Sequence, residues 1–102
     1  MSFTTQPIAI RTHAGEMVPI DAQVSGHFAI HLSHVGGLMF TVTHVPTGCA
    51  LAQGLPNAQA RAVVAQAQTM TDLDWSRSDV AYFDTAEIRA ITARLVAFQA
   101  TL

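Results

Sequence analysis

The chain has 102 residues, of which 50% are hydrophobic and 12% charged, with a formal net charge of −2 at neutral pH. That length makes one domain, 1–102, able to bury about two-thirds of its unfolded surface without a metal or a cross-link, and so few charges exclude a disordered chain. A single cysteine, Cys49, excludes an intrachain disulfide and fits a reducing, cytoplasmic setting. Neither a secretory signal nor an apolar run of membrane-spanning length is legible. All five basic residues are arginine and alanine is abundant, a bias that points to a GC-rich bacterial or phage genome.

The first segment reads as a β-hairpin. Ile8 and Ile10 alternate with polar or small residues and fall opposite Ile20 and Val18 if His13-Ala14-Gly15 forms a three-residue loop with glycine at its left-handed position. Pro19 lacks an amide donor, so the second strand is an edge or bulges there. Ser25-Gly26 is the next turn signal.

The stretch from His27 to Gly54 then predicts a three-stranded antiparallel meander. Phe28, Ile30 and Leu32 alternate with His27, Ala29, His31 and Ser33, and Leu38, Phe40 and Val42 alternate with Met39, Thr41 and Thr43. Period two marks a half-buried sheet. A loop at His34-Val35-Gly36 pairs Leu32 with Leu38, Ile30 with Phe40 and Phe28 with Val42. The turn Val45-Pro46-Thr47-Gly48 sets His44 against Cys49 and Val42 against Leu51. One face of the meander is apolar, and the other carries His27, His31, Met39, Thr41 and Thr43 toward solvent.

Leu55-Pro56-Asn57 opens a helix, since proline fits a helical first turn. Ala60, Val63, Val64, Ala67 and Met70 recur at helical spacing and give it a buried face. A linker rich in carboxylates follows, with Asp72, Asp74, Asp79, Asp84 and Glu87 around Trp75 and Tyr82. Asp84-Thr85-Ala86-Glu87 reads as an N-cap with a carboxylate three residues on, starting a second helix that runs nearly to Leu102. Strands first and helices second predict an α+β domain: an antiparallel sheet of four to five strands, built from an N-terminal hairpin and a three-stranded meander, with two helices packed on one face.

Chemistry-bearing patterns are sparse. No glycine-rich phosphate loop occurs. On one strand His27 and His31 stand about 13 Å apart, too far to share an ion, and the alternating Asp72, Asp74, Ser76 and Ser78 lack the glycine and glutamate of a calcium loop. His44 and Cys49, facing across a hairpin, are the one pair with nucleophilic potential, but a third, orienting group is missing. Three strands followed by a helix also occur in DNA-binding modules, yet the arginines are scattered and lysine is absent, which argues against nucleic acid.

The sequence therefore predicts a non-enzymatic interaction or accessory protein without cofactor or metal. It fits a phage or mobile-element inhibitor or regulator, or a subunit of a bacterial complex, that binds itself and another protein. The alternatives are a nucleic-acid-binding module or an enzyme built on His44 and Cys49. Three surfaces are candidates for contact: the sheet face with His27, His31 and Met39; the linker with Asp72, Asp74, Trp75, Asp79 and Tyr82; and the outside of the last helix. There Ala86, Ala90, Ala93, Ala97 and Ala100 recur opposite the bulky stripe of Ile88, Ile91, Leu95, Phe98 and Leu102, a small apolar face suited to two-fold pairing.

Overall fold

Glycine-bearing turns divide the first half of the chain into strands. The computed structural model describes every residue except Met1, His13 and 33–38. Its strands are β1 (Thr4–Arg11), β2 (Met17–Ser25), β3 (Phe28–Leu32), β4 (Phe40–His44) and β5 (Cys49–Leu55), followed by helices α1 (Asn57–Thr69), α2 (Val80–Phe83) and α3 (Ala86–Gln99). The five strands form one antiparallel sheet in chain order. This is the α+β architecture that the order of patterns predicts.

In the first hairpin Ile8 pairs with Ile20 and Ile10 with Val18, the expected register. Gly15 takes a φ of +81°, and Thr12 and Glu16 close the loop by a backbone hydrogen bond of 2.8 Å. β2 pairs with β1 along its length but with β3 only from Gln23 to Ser25. Pro19 thus lies where β2 has no β3 partner, so its missing amide costs nothing there.

The β3–β4 register differs from the sequence expectation. Phe28 pairs with His44, Ile30 with Val42 and Leu32 with Phe40, two positions away from the predicted partners. A shift of two leaves every side chain on its expected face, because strand side chains alternate with period two. The predicted loop at His34-Val35-Gly36, and Leu38 with it, lie outside the described residues. In β5, His44 does face Cys49, but Val42 faces Ala52 rather than Leu51. The ladder slips between Val42 and Thr43 and again between Phe40 and Val42. Such bulges insert a residue that pairs with nothing.

At β3 and β4 the sheet is buried on both faces. On one side Phe28, Ile30, Val42 and Ala52 pack against Ala60, Val63, Val64 and Ala67 of α1, joined by Met70, Leu73, Trp75, Ile88 and Leu95. All of α1's predicted apolar positions are buried. On the other side the sheet curls on itself, and Ile8, Ile10, Ala22, Val24 and Ala29 form a second cluster. Gly48 holds the curl: its carbonyl accepts from the Arg11 amide at 2.8 Å, tying the β4–β5 turn to β1.

α3 begins one residue later than predicted. Thr85, not Asp84, is the N-cap, its hydroxyl accepting from the Ile88 amide. α3 packs along α1 and α2, and Ile88 and Leu95 bring it into the main core. The one-turn helix α2 interrupts the linker and has no counterpart in the sequence expectation. Among the described residues, no helix is long and apolar enough to cross a membrane.

Candidate functional site

The outer face of α3 is built by helical spacing alone. Ile88 and Leu95 are buried and Ile91 and Phe98 half-buried, so the residues half a turn away face outward. Ala86, Ala90, Ala93, Ala97 and Ala100 are all exposed, and Val96 beside them is 65% exposed. The flanking arginines are engaged within the chain, and Glu87 stands exposed in the first turn. Arg89 lies 3.7 Å from the Asp84 carboxylate, and Arg94 pairs with Asp72. What faces solvent between these arginines is methyl and isopropyl surface along about 21 Å of helix.

The acidic linker is not an open negative surface. Asp72 is held by Arg94, Asp79 by Arg77 through two bonds of 2.8 Å, and Asp84 by Arg89. Asp74 accepts from the amide and hydroxyl of Ser76. Hydrogen bonds from Ser76 hold the Asp74 carboxyl below its ordinary range, and those from Arg77 do the same for Asp79. Trp75, a candidate contact residue in the sequence, is buried: its indole donates to the Met70 carbonyl at 3.0 Å and its ring meets Phe28 edge-on at 4.9 Å. Tyr82 is half-buried; its hydroxyl accepts from the Asp74 amide at 2.8 Å, and the Arg77 guanidinium stacks on its ring. Trp75 closes one end of the core and leaves the linker no exposed indole to anchor a partner.

The histidine-bearing sheet face also differs from expectation. His27 is exposed, but in the β2–β3 turn rather than in a strand, and Met39 is exposed just before β4. His31 is 4% exposed, and Thr41 and Thr43 are buried with it. The curl of the sheet removes this face from water. His31 is satisfied there: Nδ1 donates to the Leu32 carbonyl and Nε2 accepts from the Thr43 hydroxyl, each at 2.8 Å. A shallow cavity of about 210 Å³ opens where β2 and β3 part, lined by Asp21, Gln23, Ile30, His31, Leu32 and Phe40 among others. Both ring nitrogens of His31 are already bonded, which leaves that ring no vacant donor or acceptor for a ligand.

His44 and Cys49 are neighbours across the hairpin without acting on each other. Nε2 of His44 donates to the Trp75 carbonyl at 2.6 Å and Nδ1 accepts from the Thr47 hydroxyl at 2.8 Å. The Cys49 thiol lies 4.0 Å from the Thr47 carbonyl. With both nitrogens bonded elsewhere, His44 is not placed to take a thiol proton. Burial pushes the His44 pKa below its ordinary 6.5, partly offset by the hydrogen bond to Trp75 and reinforced by nearby His27. Among the described residues, no three His, Cys, Asp or Glu side chains gather as a metal site would require.

The remaining two arginines are also occupied. Arg11 donates to the Thr47 carbonyl, and Arg61 bonds Asn57 and Gln23 while stacking on Phe3. No family model matches the chain, and neither a curated protein nor a solved structure matches it. The arrangement of side chains must therefore carry any functional reading.

Proposed function

We propose that this chain is a small non-enzymatic interaction protein that pairs with a second copy of itself through the outer face of α3. The observation that supports this is the exposed alanine face, with Val96 at 65% exposure and the neighbouring arginines paired to Asp84 and Asp72. Small residues let a second helix approach closely, and a two-fold axis lets one patch cover its own copy. The unpaired Cys49 fits a reducing compartment such as the cytoplasm.

A nucleic-acid role has less support, because every arginine already bonds a carboxylate, an amide or a carbonyl. An enzyme built on His44 and Cys49 has less again, since the two side chains do not bond each other.

One helix pair buries less than the roughly 1,200–2,000 Å² of a standard interface, so the dimer expected is about micromolar in strength. Light scattering at about 50 μM, well above such a constant, should give the mass of a dimer. Replacing Ala93 and Ala97 with glutamate should give a monomer with unchanged far-UV circular dichroism. A wild-type monomer at that concentration, or a dimer that survives both substitutions, refutes the reading.

A further inference from the structure

His44 joins the sheet to the helical layer. Its ring is 2% exposed and sits among Phe83, Trp75 and Phe28, with ring centroids 4.7, 5.5 and 6.2 Å away. The bond from Nε2 to the Trp75 carbonyl fixes the neutral tautomer, and Thr47 completes it by donating to Nδ1. A second proton, on Nδ1, must turn the Thr47 hydroxyl away. That hydroxyl has an alternative acceptor in the His44 carbonyl at 3.4 Å, and it continues to receive the Cys49 amide. The hydrogen bonds can thus rearrange around a charged ring. Beyond its bonds to Trp75 and Thr47 the ring faces only Phe83, Trp75 and Phe28, and among the described residues no carboxylate bonds it.

The titratable groups adjoining the residues that touch the ring are His27 in the β2–β3 turn, Cys49 across the ladder, Asp74 beside Trp75, and Tyr82 and Asp84 on either side of Phe83. His27 repels a second positive charge, while the Asp74 and Asp84 carboxylates are exposed to water, one accepting from Ser76 and the other paired with Arg89. A buried cation without a counter-charge is relieved by admitting water. On the sheet side β4 is paired to both β3 and β5, whereas Trp75 lies between helices, outside any ladder. The linker is therefore the side that yields.

We propose that His44 is an acid-sensitive latch: protonation of its ring releases the connection between α1 and α2, Trp75 included, from the sheet while the five strands stay paired. The device does not rest on pairing through α3, but the connection it releases carries Asp72, the partner of Arg94.

The test follows Trp75 fluorescence, the His44 ring resonances by NMR, and far-UV circular dichroism, from above pH 6.5 down to about pH 5, where most carboxylates remain ionised. The expected result is a red shift of Trp75 emission with a midpoint below pH 6.5 that coincides with His44 titration, while the strand signal holds. His44→Gln keeps an amide donor for the Trp75 carbonyl but cannot titrate, so the transition should vanish. His27→Gln removes the repelling charge and should move the midpoint to higher pH. Emission that stays constant while His44 titrates overturns the proposal. So does a transition that persists in His44→Gln, or a strand signal that collapses together with the fluorescence. Should His44→Gln not fold, the coincidence of the two wild-type midpoints decides alone.

Discussion

Replacing Gly48 with alanine tests how tightly the curled sheet is fastened. Gly48 has a φ of +73°, and a methyl group there would stand 2.7 Å from Met17 Cε, 3.0 Å from the Ala9 carbonyl oxygen and 3.2 Å from the Arg11 nitrogen. The methionine end can swing aside, but the two backbone atoms belong to β1 and yield only if the strand retreats. The left-handed conformation costs a non-glycine residue about 1–2 kcal/mol. Weakening the bond from the Arg11 amide to the Gly48 carbonyl adds about 1 kcal/mol. A total of about 2–3 kcal/mol is expected, a large part of the roughly 5–15 kcal/mol that holds a domain folded. Gly15→Ala is the matched control: its φ is +81°, yet nothing lies within 4 Å of the added methyl. It should cost only the conformational term, and the entropy that alanine removes from the unfolded chain cancels between the two variants. Urea denaturation of both, with hydrogen exchange at the Arg11 amide, measures the difference. If Gly48→Ala is no more destabilising than Gly15→Ala, the contact between β1 and the β4–β5 turn does not exist in solution.

Phe28→Ala, which empties a fully buried ring site beneath Trp75, should cost about 3–5 kcal/mol in denaturant unfolding. Thr47→Val strands His44 Nδ1 and the Cys49 amide and should cost about 1–3 kcal/mol, whereas Thr47→Ser should restore most of it. Asp72→Asn breaks an ion pair whose side chains are half exposed, so its cost should stay below about 1 kcal/mol and shrink further in salt. Because the folded state lowers the His44 pKa, the unfolded chain takes up the proton first. Stability should be full above pH 6.5 and fall as pH drops below it, by at most about 1.4 kcal/mol per pH unit. Trp75 emission at neutral pH should be blue-shifted, and a red-shifted spectrum would contradict its burial.

The residues differ in how much of this they announce. Ile8, Ile10, Val18 and Ile20 give the first hairpin its register because alternation and Gly15 impose the same pairing. The β3–β4 register was harder to read because alternation fixes the face but not the partner, and moving by two positions changes no face. The slip that sets Val42 against Ala52 leaves little trace beyond Gly54, whose φ is +69°. The burial of His31, Thr41 and Thr43 is hidden for a different reason. Alternation separates two faces without saying that one of them is open, and the curl buries both at β3 and β4. The lack of any charged residue in β3 or β4 was the available signal. The local pair of Arg77 and Asp79 could be read from adjacency, but Arg94 meets Asp72 only because α3 returns beside the linker. The outward alanines of α3 were legible because a helix fixes its own geometry once its buried stripe is known.

Each strand in the sheet lies beside its neighbour in the chain, so each pairing closes only a short stretch of polypeptide. Such a sheet can be assembled one strand at a time as the chain leaves the ribosome, hairpin upon hairpin. The bond from Arg11 to Gly48 cannot follow that order, because it joins the first strand to the last turn of the sheet. Until Gly48 has emerged and the β4–β5 turn has formed, Ile8 and Ile10 on the inner side of β1 lack their full cover. The nascent β1–β2 hairpin is therefore the stage at which a chaperone would find apolar surface to hold, and formation of the β4–β5 turn is the event that withdraws it.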